Sequence, residues 1–420
     1  MKRLYEIFRL EFVSIVRSKT LALLSLAAVG WTLAMPWVMK GDGTEEGARE
    51  LYVHYSVGGV FALLVVALVA SATGALARER AAKRLQLTMV RPVRYSAIAL
   101  GKVGAYVAAG AVVLALAFLT MNLRVDCTRP CSHALTPVLP SPQEEAKTMY
   151  AAYMKSPDTP AAVKKADKKV VMRLLAQRAV DRYQTLPTNA VSVWTYDLSA
   201  FSARSADCSI RMRFTNQYDM RQDVLGVFRL EGLSGSVSNI TQSILRVPLG
   251  RLEEPGAAAK LTFANNGKTA LMLRPRKDLE LLVRGDAFWA NSIRAYLEMV
   301  AALAAVVAFG VFLGAGLGRP VALFVALVTL LVGEMSPSVV DQYPDEIGAN
   351  LLDRAGLEIS RVAAEITKPI SSLSPVEALA QDDCVEWGEV LRILAADLVG
   401  VPLFLVLLSA FVMPRKQEDA

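Results

Sequence analysis

The sequence predicts an α-helical polytopic membrane protein with six spans and an external α+β domain that contains an antiparallel β-sandwich. Three observations lead to this fold class. The 420-residue chain is 54% hydrophobic and only 20% charged, with a mean hydropathy of +0.37, which is more apolar than a soluble domain of this size. Six long stretches are largely apolar. Between the third and the fourth, a polar segment changes from helical periodicity to an alternation of period two.

The six apolar stretches are candidate membrane spans, because a helix needs about 17 to 25 residues to cross the hydrocarbon core. The fifth is short and follows the fourth after only Gly318, Arg319 and Pro320, which predicts a helical hairpin with its turn near the membrane surface. The predicted spans are Thr20–Val38, Gly58–Ala77, Ala97–Met121, Tyr296–Leu317, Val321–Met335 and Leu391–Met413.

The distribution of lysine and arginine predicts a plasma (inner) membrane protein with both termini in the cytoplasm. The inner segments carry 15 of these residues and the two shorter outer loops carry five, and positive charge stays on the cytoplasmic side. The resulting N-terminal regions are an interfacial helix at 1–19, spans at 20–121 with a cytoplasmic loop at 78–102, and an external domain at 122–290. Spans at 291–335 follow, and then an external amphipathic helical loop at 336–390, whose apolar stripe lies at 347–366. The chain closes with a last span at 391–413 and a tail at 414–420.

All four cysteines fall in the predicted external segments, as expected for an oxidising compartment. They are Cys127, Cys131, Cys208 and Cys384. Cys127 with Cys131 is the local candidate for a disulfide, and Cys208 with Cys384 is the remaining pair. Free buried thiols are the alternative, and the sequence does not fix the pairing.

The external segment contains helices followed by strands. A capping box at Ser141 to Glu144 and a second helix start at Asp158 to Pro160 predict two helices over residues 141 to 185, of which the second is strongly basic. Apolar residues then alternate with polar ones at 210–214, 261–263 and 279–283. About seven short strands of this kind indicate an antiparallel sandwich.

Several kinds of chemistry are disfavoured by the sequence. The external segment carries a local net charge of +8, which a solvated basic surface explains best, and its outer location argues against nucleic acid as a partner. Asn266 to Thr269 resembles the end of a phosphate-binding loop, but Thr262 stands where that motif needs glycine, so a β-turn is predicted. Two histidines and no CxxC spacing leave no pattern for a metal site, and no catalytic motif is present.

The predicted cytoplasmic face carries two amphipathic segments. Residues 3 to 18 form an interfacial helix with Leu4, Ile7, Phe8, Phe12 and Ile15 on one side. In the loop between spans two and three, apolar residues sit within a charged stretch, and Pro92 ends a short helix. This loop is a docking element, formed by Glu79, Arg80, Arg84, Leu85, Leu87, Met89, Val90, Arg91, Pro92 and Lys102.

At these residues the chain resembles the type-2 permease subunits of ATP-binding-cassette (ABC) transporters. The shared features are Glu79-Arg80, the apolar helix Leu85 to Val90, the Pro92-Val93 step, Gly101-Lys102 at the head of the third span, and the closing segments Ser374–Glu377, Trp387-Gly388 and Pro414–Lys416. The resemblance covers both membrane halves but not the 169-residue external insertion. Ala81, Ala82 and Lys83 stand where many members have Gly and Glu.

The resemblance implies a dimeric permease, homomeric or heteromeric, driven by separate ATPase subunits that dock from the cytoplasm. ATP and Mg²⁺ would then be bound by the partner, with no cofactor and no enzymatic activity in this chain. The favoured substrate is amphipathic, peptidic or lipid-linked and moves outward. The alternatives are mechanotransmission, in which ATP hydrolysis moves the external domain to act on a periplasmic protein, and a receptor or anchor with no ATPase.

Three acidic residues lie in or near the predicted spans: Glu298, Glu334 and Asp397. Ionisable groups in a membrane are costly and are usually functional. Because all three lie close to the outer surface in this topology, interfacial salt bridges with residues such as Arg294 and Arg392 are favoured over an ion pathway.

Overall fold

A computed structural model of the chain describes residues 2–39, 45–81, 95–126, 129–155, 167–201, 206–214, 223–240, 244–253, 258–342, 356, 358 and 374–418. These residues form two compact units. The first unit comprises residues Met1–Arg129 and Asp286–Ala420, and the second comprises Pro130–Gly285. The first is helical, whereas the second contains almost all of the β-structure.

The helical unit is built from long helices because its sequence is apolar over many consecutive turns. Its helices are α1 (Lys2–Arg17), α2 (Thr20–Val38), α3 (Glu45–Ala81) and α4 (Tyr95–Asn122), then α8 (Phe288–Gly316), α9 (Arg319–Gln342), α10 (Ser374–Ala380), α11 (Trp387–Ile393) and α12 (Val401–Glu418). A π-helical segment, Leu394–Gly400, joins α11 to α12.

Within the described part of the chain, five helices are long and apolar enough to cross a membrane, judged by length and composition. The chain is therefore a multi-pass membrane protein. The predicted fifth span corresponds to the first part of α9, whose apolar stretch Arg319–Gly333 is shorter than the other five. The five are Thr20–Val38, Gly47–Glu79, Tyr95–Asn122, Phe288–Gly316 and Trp387–Ser409.

Small residues bring α3 and α8 into close contact. Gly310 and Gly314 are four residues apart on α8, and both face the Ala72-Thr73 step of α3. A Cβ atom added at Gly314 would lie 2.4 Å from the carbonyl oxygen of Thr73. Glycines at this spacing allow two membrane helices to approach along their backbones. The close packing helps to make α8 the most deeply buried of the five spans.

The second unit consists of two four-stranded sheets, a two-stranded sheet and a helical pair. The first sheet has the order β1-β10-β4-β7, the second β3-β8-β5-β6, and β2 pairs with β9. The strands are β1 (Pro130–Leu135), β2 (Thr185–Leu186), β3 (Val191–Asp197), β4 (Ala206–Arg213), β5 (Asp223–Leu230), β6 (Leu233–Ile240), β7 (Ile244–Leu252), β8 (Ala258–Asn265), β9 (Leu271–Met272) and β10 (Leu279–Ala287).

The predicted alternation of period two is confirmed in these strands. Ile210 and Met212 of β4, and Leu261 and Phe263 of β8, are buried, and the two sheets contribute to one hydrophobic core. All pairings whose register is known are antiparallel. Successive strand residues point to opposite faces, so one face of each strand fills the core.

The segment that resembles a phosphate-binding loop is a turn held by the side chain of Asn265. Its amide nitrogen donates to the carbonyl oxygen of Thr269 at 3.0 Å, and its Oδ1 accepts from the backbone N–H of Gly267 at 3.0 Å. Asn265 is almost fully buried, so these contacts satisfy a polar group that would otherwise be costly to bury.

The helical pair of the second unit comprises α5 (Pro142–Lys155) and α6 (Lys168–Gln184), with a short helix α7 (Pro275–Asp278) elsewhere. The predicted start at Ser141 is confirmed, whereas the predicted start at Asp158 to Pro160 lies outside the described residues. Asp167 caps α6 by accepting a hydrogen bond from the backbone N–H of Lys169 at 3.0 Å. Val171 and Leu175 of α6 are buried against α5.

The cysteines differ from the predicted pairing. Cys131 and Cys384 each take part in a disulfide, whereas Cys208 is buried and forms none. The predicted pair of Cys208 with Cys384 is therefore wrong. The reason is the register of β4, in which Cys208 shares the core-facing side with Ile210 and its sulfur is enclosed by apolar side chains. Cys127 lies outside the described residues.

Candidate functional site

The site begins with helix α1, which packs against α4 where α4 lacks side chains. A Cβ atom at Gly101 would lie 2.7 Å from Cγ2 of Ile7, and one at Gly104 would lie 3.3 Å from the ring of Phe8. Phe8 in turn stacks on Phe12, with ring centroids 5.9 Å apart. The apolar side of α1 predicted from the sequence therefore rests on a glycine-lined stretch of α4.

Lys102 lies at the centre of this contact and joins three helices. Its Nζ atom is 3.0 Å from Oε2 of Glu11 on α1 and 2.8 Å from Oε1 of Glu79 at the end of α3. The hydroxyl of Tyr106, one turn further along α4, donates to Oε1 of Glu11 at 3.3 Å. We call Glu11, Glu79, Lys102 and Tyr106 the ion cluster.

The burial of the ion cluster is uneven, and this determines its energetics. The side chain of Lys102 is 4% exposed, whereas those of Glu11 and Glu79 are 23% and 34% exposed. An ammonium group this deep is stable only when it is paired. The two carboxylates keep contact with solvent, so losing Lys102 costs each of them less than losing both carboxylates costs the buried ammonium group. The lysine is thus the residue on which the cluster depends.

The structure brings together two of the residues predicted to form the docking element. Glu79 and Lys102, from opposite ends of the loop between α3 and α4, form a direct ion pair. Arg80 belongs to α3, but its side chain is not among those described. The rest of the predicted docking element lies outside the described residues, namely Arg84, Leu85, Leu87, Met89, Val90, Arg91 and Pro92.

Two members of the ion cluster were not predicted from the sequence: Glu11 and Tyr106. The signal for Glu11 is a charged residue on the apolar face of an amphipathic helix. It lies three residues after Phe8 and four before Ile15, within the apolar side of α1. A carboxylate at such a position requires a cation on the surface that the helix covers. For Tyr106 the signal is weaker, because tyrosine is common in membrane helices.

A second polar network lies at the opposite ends of the spans and holds the short helices that precede the last span. Arg49 of α3 forms an ion pair with Asp382, which has a left-handed backbone conformation with φ of 61°. The guanidinium group of Arg49 also lies over the ring of Phe288, 4.9 Å from its centroid. The loop that follows α10 is thus fixed to α3 and to the start of α8.

The same loop is fixed a second time by α8. Asn291 donates to the carbonyl oxygen of Asp383 at 2.6 Å and accepts from the backbone N–H of Val385 at 2.7 Å. Arg294 donates to the carbonyl oxygen of Val385 at 3.1 Å, forms an ion pair with Asp286 and lies 5.2 Å from the Trp387 ring centroid. These contacts fix the start of the last span relative to α8.

The predicted salt bridges of the intramembrane acids are not found among the described residues. Arg294 pairs with Asp286 rather than with Glu298, and Arg392 pairs with Glu389 at 3.5 Å. Glu298 and Asp397 are instead buried, at 5% and 6% exposure. The prediction failed because Arg294 is drawn towards the loop at Val385 and away from the next turn of its own helix. The side chain of Glu334 is not among those described.

Comparisons with known proteins return no relative from which a function can be transferred. No family model matches the chain. No curated protein matches it. No solved structure matches it. Among the described residues, no group of three or more His, Cys, Asp or Glu side chains is arranged to hold a metal ion.

Proposed function

We propose that this chain is the membrane-spanning permease subunit of an ATP-driven ABC transporter, an exporter of an amphipathic or lipid-linked substrate. ATP and Mg²⁺ are bound by a separate ATPase subunit that docks from the cytoplasm. The single observation that carries this proposal is the ion cluster. It joins α1, α3 and α4 beside both ends of the segment 82–94, which the sequence predicts as the docking element.

The ion cluster gives this segment a mechanical role. A force applied to residues 82–94 reaches α3 at Glu79 and α4 at Lys102, and the two are paired at 2.8 Å. Because Glu11 is bound to the same lysine, α1 moves with them. Packed helices transmit such displacements as rigid bodies. An ATPase that binds residues 82–94 would therefore move α1, α3 and α4 together.

The proposed topology has six spans, with Arg319–Gly333 as the fifth, and places both termini in the cytoplasm. It places the two sheets outside the membrane as a sandwich. Two facts support this arrangement. The lysine and arginine residues concentrate in the inner segments. Cys131 and Cys384 are both disulfide-bonded and both fall in segments assigned to the outer face, where an oxidising compartment keeps such bonds.

A second permease protomer completes the proposed transporter. Only 17% of the 18-residue apolar stretch within Thr20–Val38 is buried. For Trp387–Ser409 the buried share is 22%. These two spans therefore present most of their apolar surface to lipid or to a second protomer. Nucleic acid is not part of the proposal.

The proposal is tested by purifying the full-length chain from its native membrane in detergent and identifying co-purifying proteins by mass spectrometry. The test variant is the double substitution Leu85→Asp, Leu87→Asp. The matched control is Val170→Asp, Leu174→Asp, which places the same two charges at exposed apolar residues of α6. We expect an ATPase with the wild type and the control, and none with the test variant.

Two results would contradict the proposal. The first is the absence of any ATPase in the wild-type sample. The second is equal recovery of the ATPase with the test variant and the control, which would place its binding surface elsewhere. Size-exclusion profiles of each variant must match that of the wild type, so that loss of the ATPase is not a consequence of misfolding.

Mechanotransmission remains a second candidate function, favoured by one observation. Strand β10 ends at Ala287 and helix α8 begins at Phe288, so no residue separates the sheet strand from the deeply buried span. The strand and the span are therefore consecutive along the chain. This function predicts ATP-dependent changes in the second unit without passage of any substrate. Reconstitution with the ATPase, followed by a transport assay and by protease accessibility of residues 130–285, separates the two functions.

A further inference from the structure

Two acidic residues are buried where α8 packs against the last span. Glu298 lies on α8 and is 5% exposed, and Asp397 lies in the π-helical segment Leu394–Gly400 and is 6% exposed. The two segments pack against each other. Both acids belong to helices apolar enough to cross a membrane. Ionisable side chains in membrane-spanning helices are rare and are usually functional.

Glu298 has a buried oxygen without a partner. Its Oε1 atom accepts no hydrogen bond from any described residue. Arg294, one turn earlier on the same helix, is the nearest cation along the chain, but its guanidinium group is bound to Asp286 and to the carbonyl oxygen of Val385. An ionised carboxylate in this position lacks the compensation that a buried charge requires.

Asp397 lies in an unusual stretch of backbone. The π-helical segment has wider turns than the α-helices on either side of it, and such segments often occur at functional sites. Asp397 is 6% exposed, and none of the ion pairs between described side chains includes it. A carboxyl group buried without an ion pair favours its neutral form.

Charged side chains on α8 itself and on two neighbouring helices bear on the two acids. On α8 there is Arg294, already paired. From α11, Glu389 and Arg392 influence Glu298 electrostatically, and both are more than half exposed. On α3, Arg49 is paired with Asp382. Glu389 opposes and Arg392 favours a negative charge on Glu298, so the two neighbours act in opposite directions.

We propose that Glu298 and Asp397 are proton-binding sites within the transmembrane unit, each holding a carboxylic acid proton that is exchanged with water at the α11 end of the spans. Each carboxylate takes one proton and becomes a neutral carboxyl, and no other bond changes. Glu389 of α11 is more than half exposed and serves as the control carboxyl group. Proton binding at these residues does not require the ATPase partnership proposed above.

The experiment uses dicyclohexylcarbodiimide, an apolar reagent to which protonated carboxyl groups add in apolar surroundings, giving a stable N-acylurea adduct. The detergent-purified full-length chain is labelled at about pH 6 and at about pH 9. Both values lie above the ordinary pKa of a carboxyl group, so only a carboxyl group whose pKa is raised loses its proton within this range. Adducts are located by peptide mass spectrometry. We expect labelling at Glu298 and Asp397, and labelling at least about fivefold weaker at the higher pH. The exposed Glu389 should label weakly at both.

Substitutions assign each adduct to a residue. Infrared spectroscopy is the second measurement, and it does not depend on access of the reagent. Glu298→Gln and Asp397→Asn should each remove one adduct, and Glu389→Gln should leave both adducts in place. Infrared difference spectra of the wild type should show the C=O stretch of protonated carboxyl groups, reduced in the first two variants. If a variant fails to fold, the pH dependence of wild-type labelling and the wild-type infrared band still decide the question.

Three outcomes would overturn the inference. One is labelling of Glu298 and Asp397 no stronger than that of Glu389. Another is labelling that does not change with pH. The third is protection of both residues by Na⁺ but not by K⁺, which would identify the occupant as a metal cation rather than a proton.

Discussion

The Nζ atom of Lys102 lies 2.8 Å from Oε1 of Glu79, a residue that stands 23 positions earlier in the chain. This ion pair bridges the end of α3 and the start of α4, across the segment that the sequence predicts as a docking element. Lys102 is also bound to Glu11 of α1. Three helices therefore depend on one buried ammonium group.

Replacing Lys102 with methionine should destabilise the helical unit. The substitution keeps the length of the side chain but leaves two carboxylates without a cation, and we expect a loss of about 1–3 kcal/mol because both carboxylates are partly exposed. Thermal unfolding in detergent measures the loss. The matched control is Arg9→Met, at an exposed position on α1. Equal losses in the two variants would argue against the ion cluster as a stabilising element.

A double-mutant cycle separates the pair from general effects at Lys102. Glu11→Gln and Lys102→Met should each destabilise the protein, and the double variant should lose less than the sum of the two, because the second substitution removes a group that has already lost its partner. Additive losses would mean that Glu11 and Lys102 do not interact in solution.

Substitution of Gly314 with alanine should disrupt the contact between α3 and α8. The new Cβ atom would lie 2.4 Å from the carbonyl oxygen of Thr73, a backbone atom that cannot rotate away. We expect a loss of about 1–3 kcal/mol in stability. Gly30→Ala is the control, because a Cβ atom there has no neighbour within 4 Å. That variant should be neutral or stabilised by up to about 1 kcal/mol through helix propensity. Similar thermal unfolding of both variants would refute the close packing.

The thiol of Cys208 should resist alkylation in the native protein. Burial, followed by the neighbouring charge of Asp207, raises the pKa of this thiol to about 11, and the thiolate is the reactive form. Peptide mapping after treatment with iodoacetamide near neutral pH should find Cys208 unmodified, and modified once a denaturant is added. Because the folded pKa is the higher one, the stability gained from the protonated thiol is present below the unfolded-state pKa and is lost as the pH rises through about 11. Rapid native alkylation would contradict the burial of β4.

Asp197 should contribute to the stability of the second unit at neutral pH and not in acid. Its Oδ1 accepts a hydrogen bond from the backbone N–H of Ser199 at 2.9 Å, and this bond lowers the pKa of the carboxyl group. A lowered pKa means that the contribution is present above the unfolded-state pKa and is lost as the pH falls through the folded value. The difference in melting temperature between wild type and Asp197→Asn should therefore shrink on acidification. A constant difference would show that ionisation plays no part.

The sequence determined by itself the elements whose signals are local. Apolar runs long enough to span a membrane predict five of the helices, and the alternation at Ile210, Met212 and Phe214 predicts β4, which begins earlier, at Ala206, and ends at Arg213. These signals depend on residues that are neighbours along the chain, because helical and strand periodicity are properties of short segments. The amphipathic side of α1 was predicted for the same reason.

Only the tertiary structure decided which distant residues meet. The partner of Lys102 on α1 is 91 residues away, and Arg49 pairs with Asp382 across 333 residues. The absence of a disulfide at Cys208 and the failure of Arg294 to pair with Glu298 were likewise undetermined by the sequence. In each case several partners of suitable charge or chemistry exist along the chain. The choice among them depends on burial and on the close approach of whole helices and strands, which no local pattern encodes.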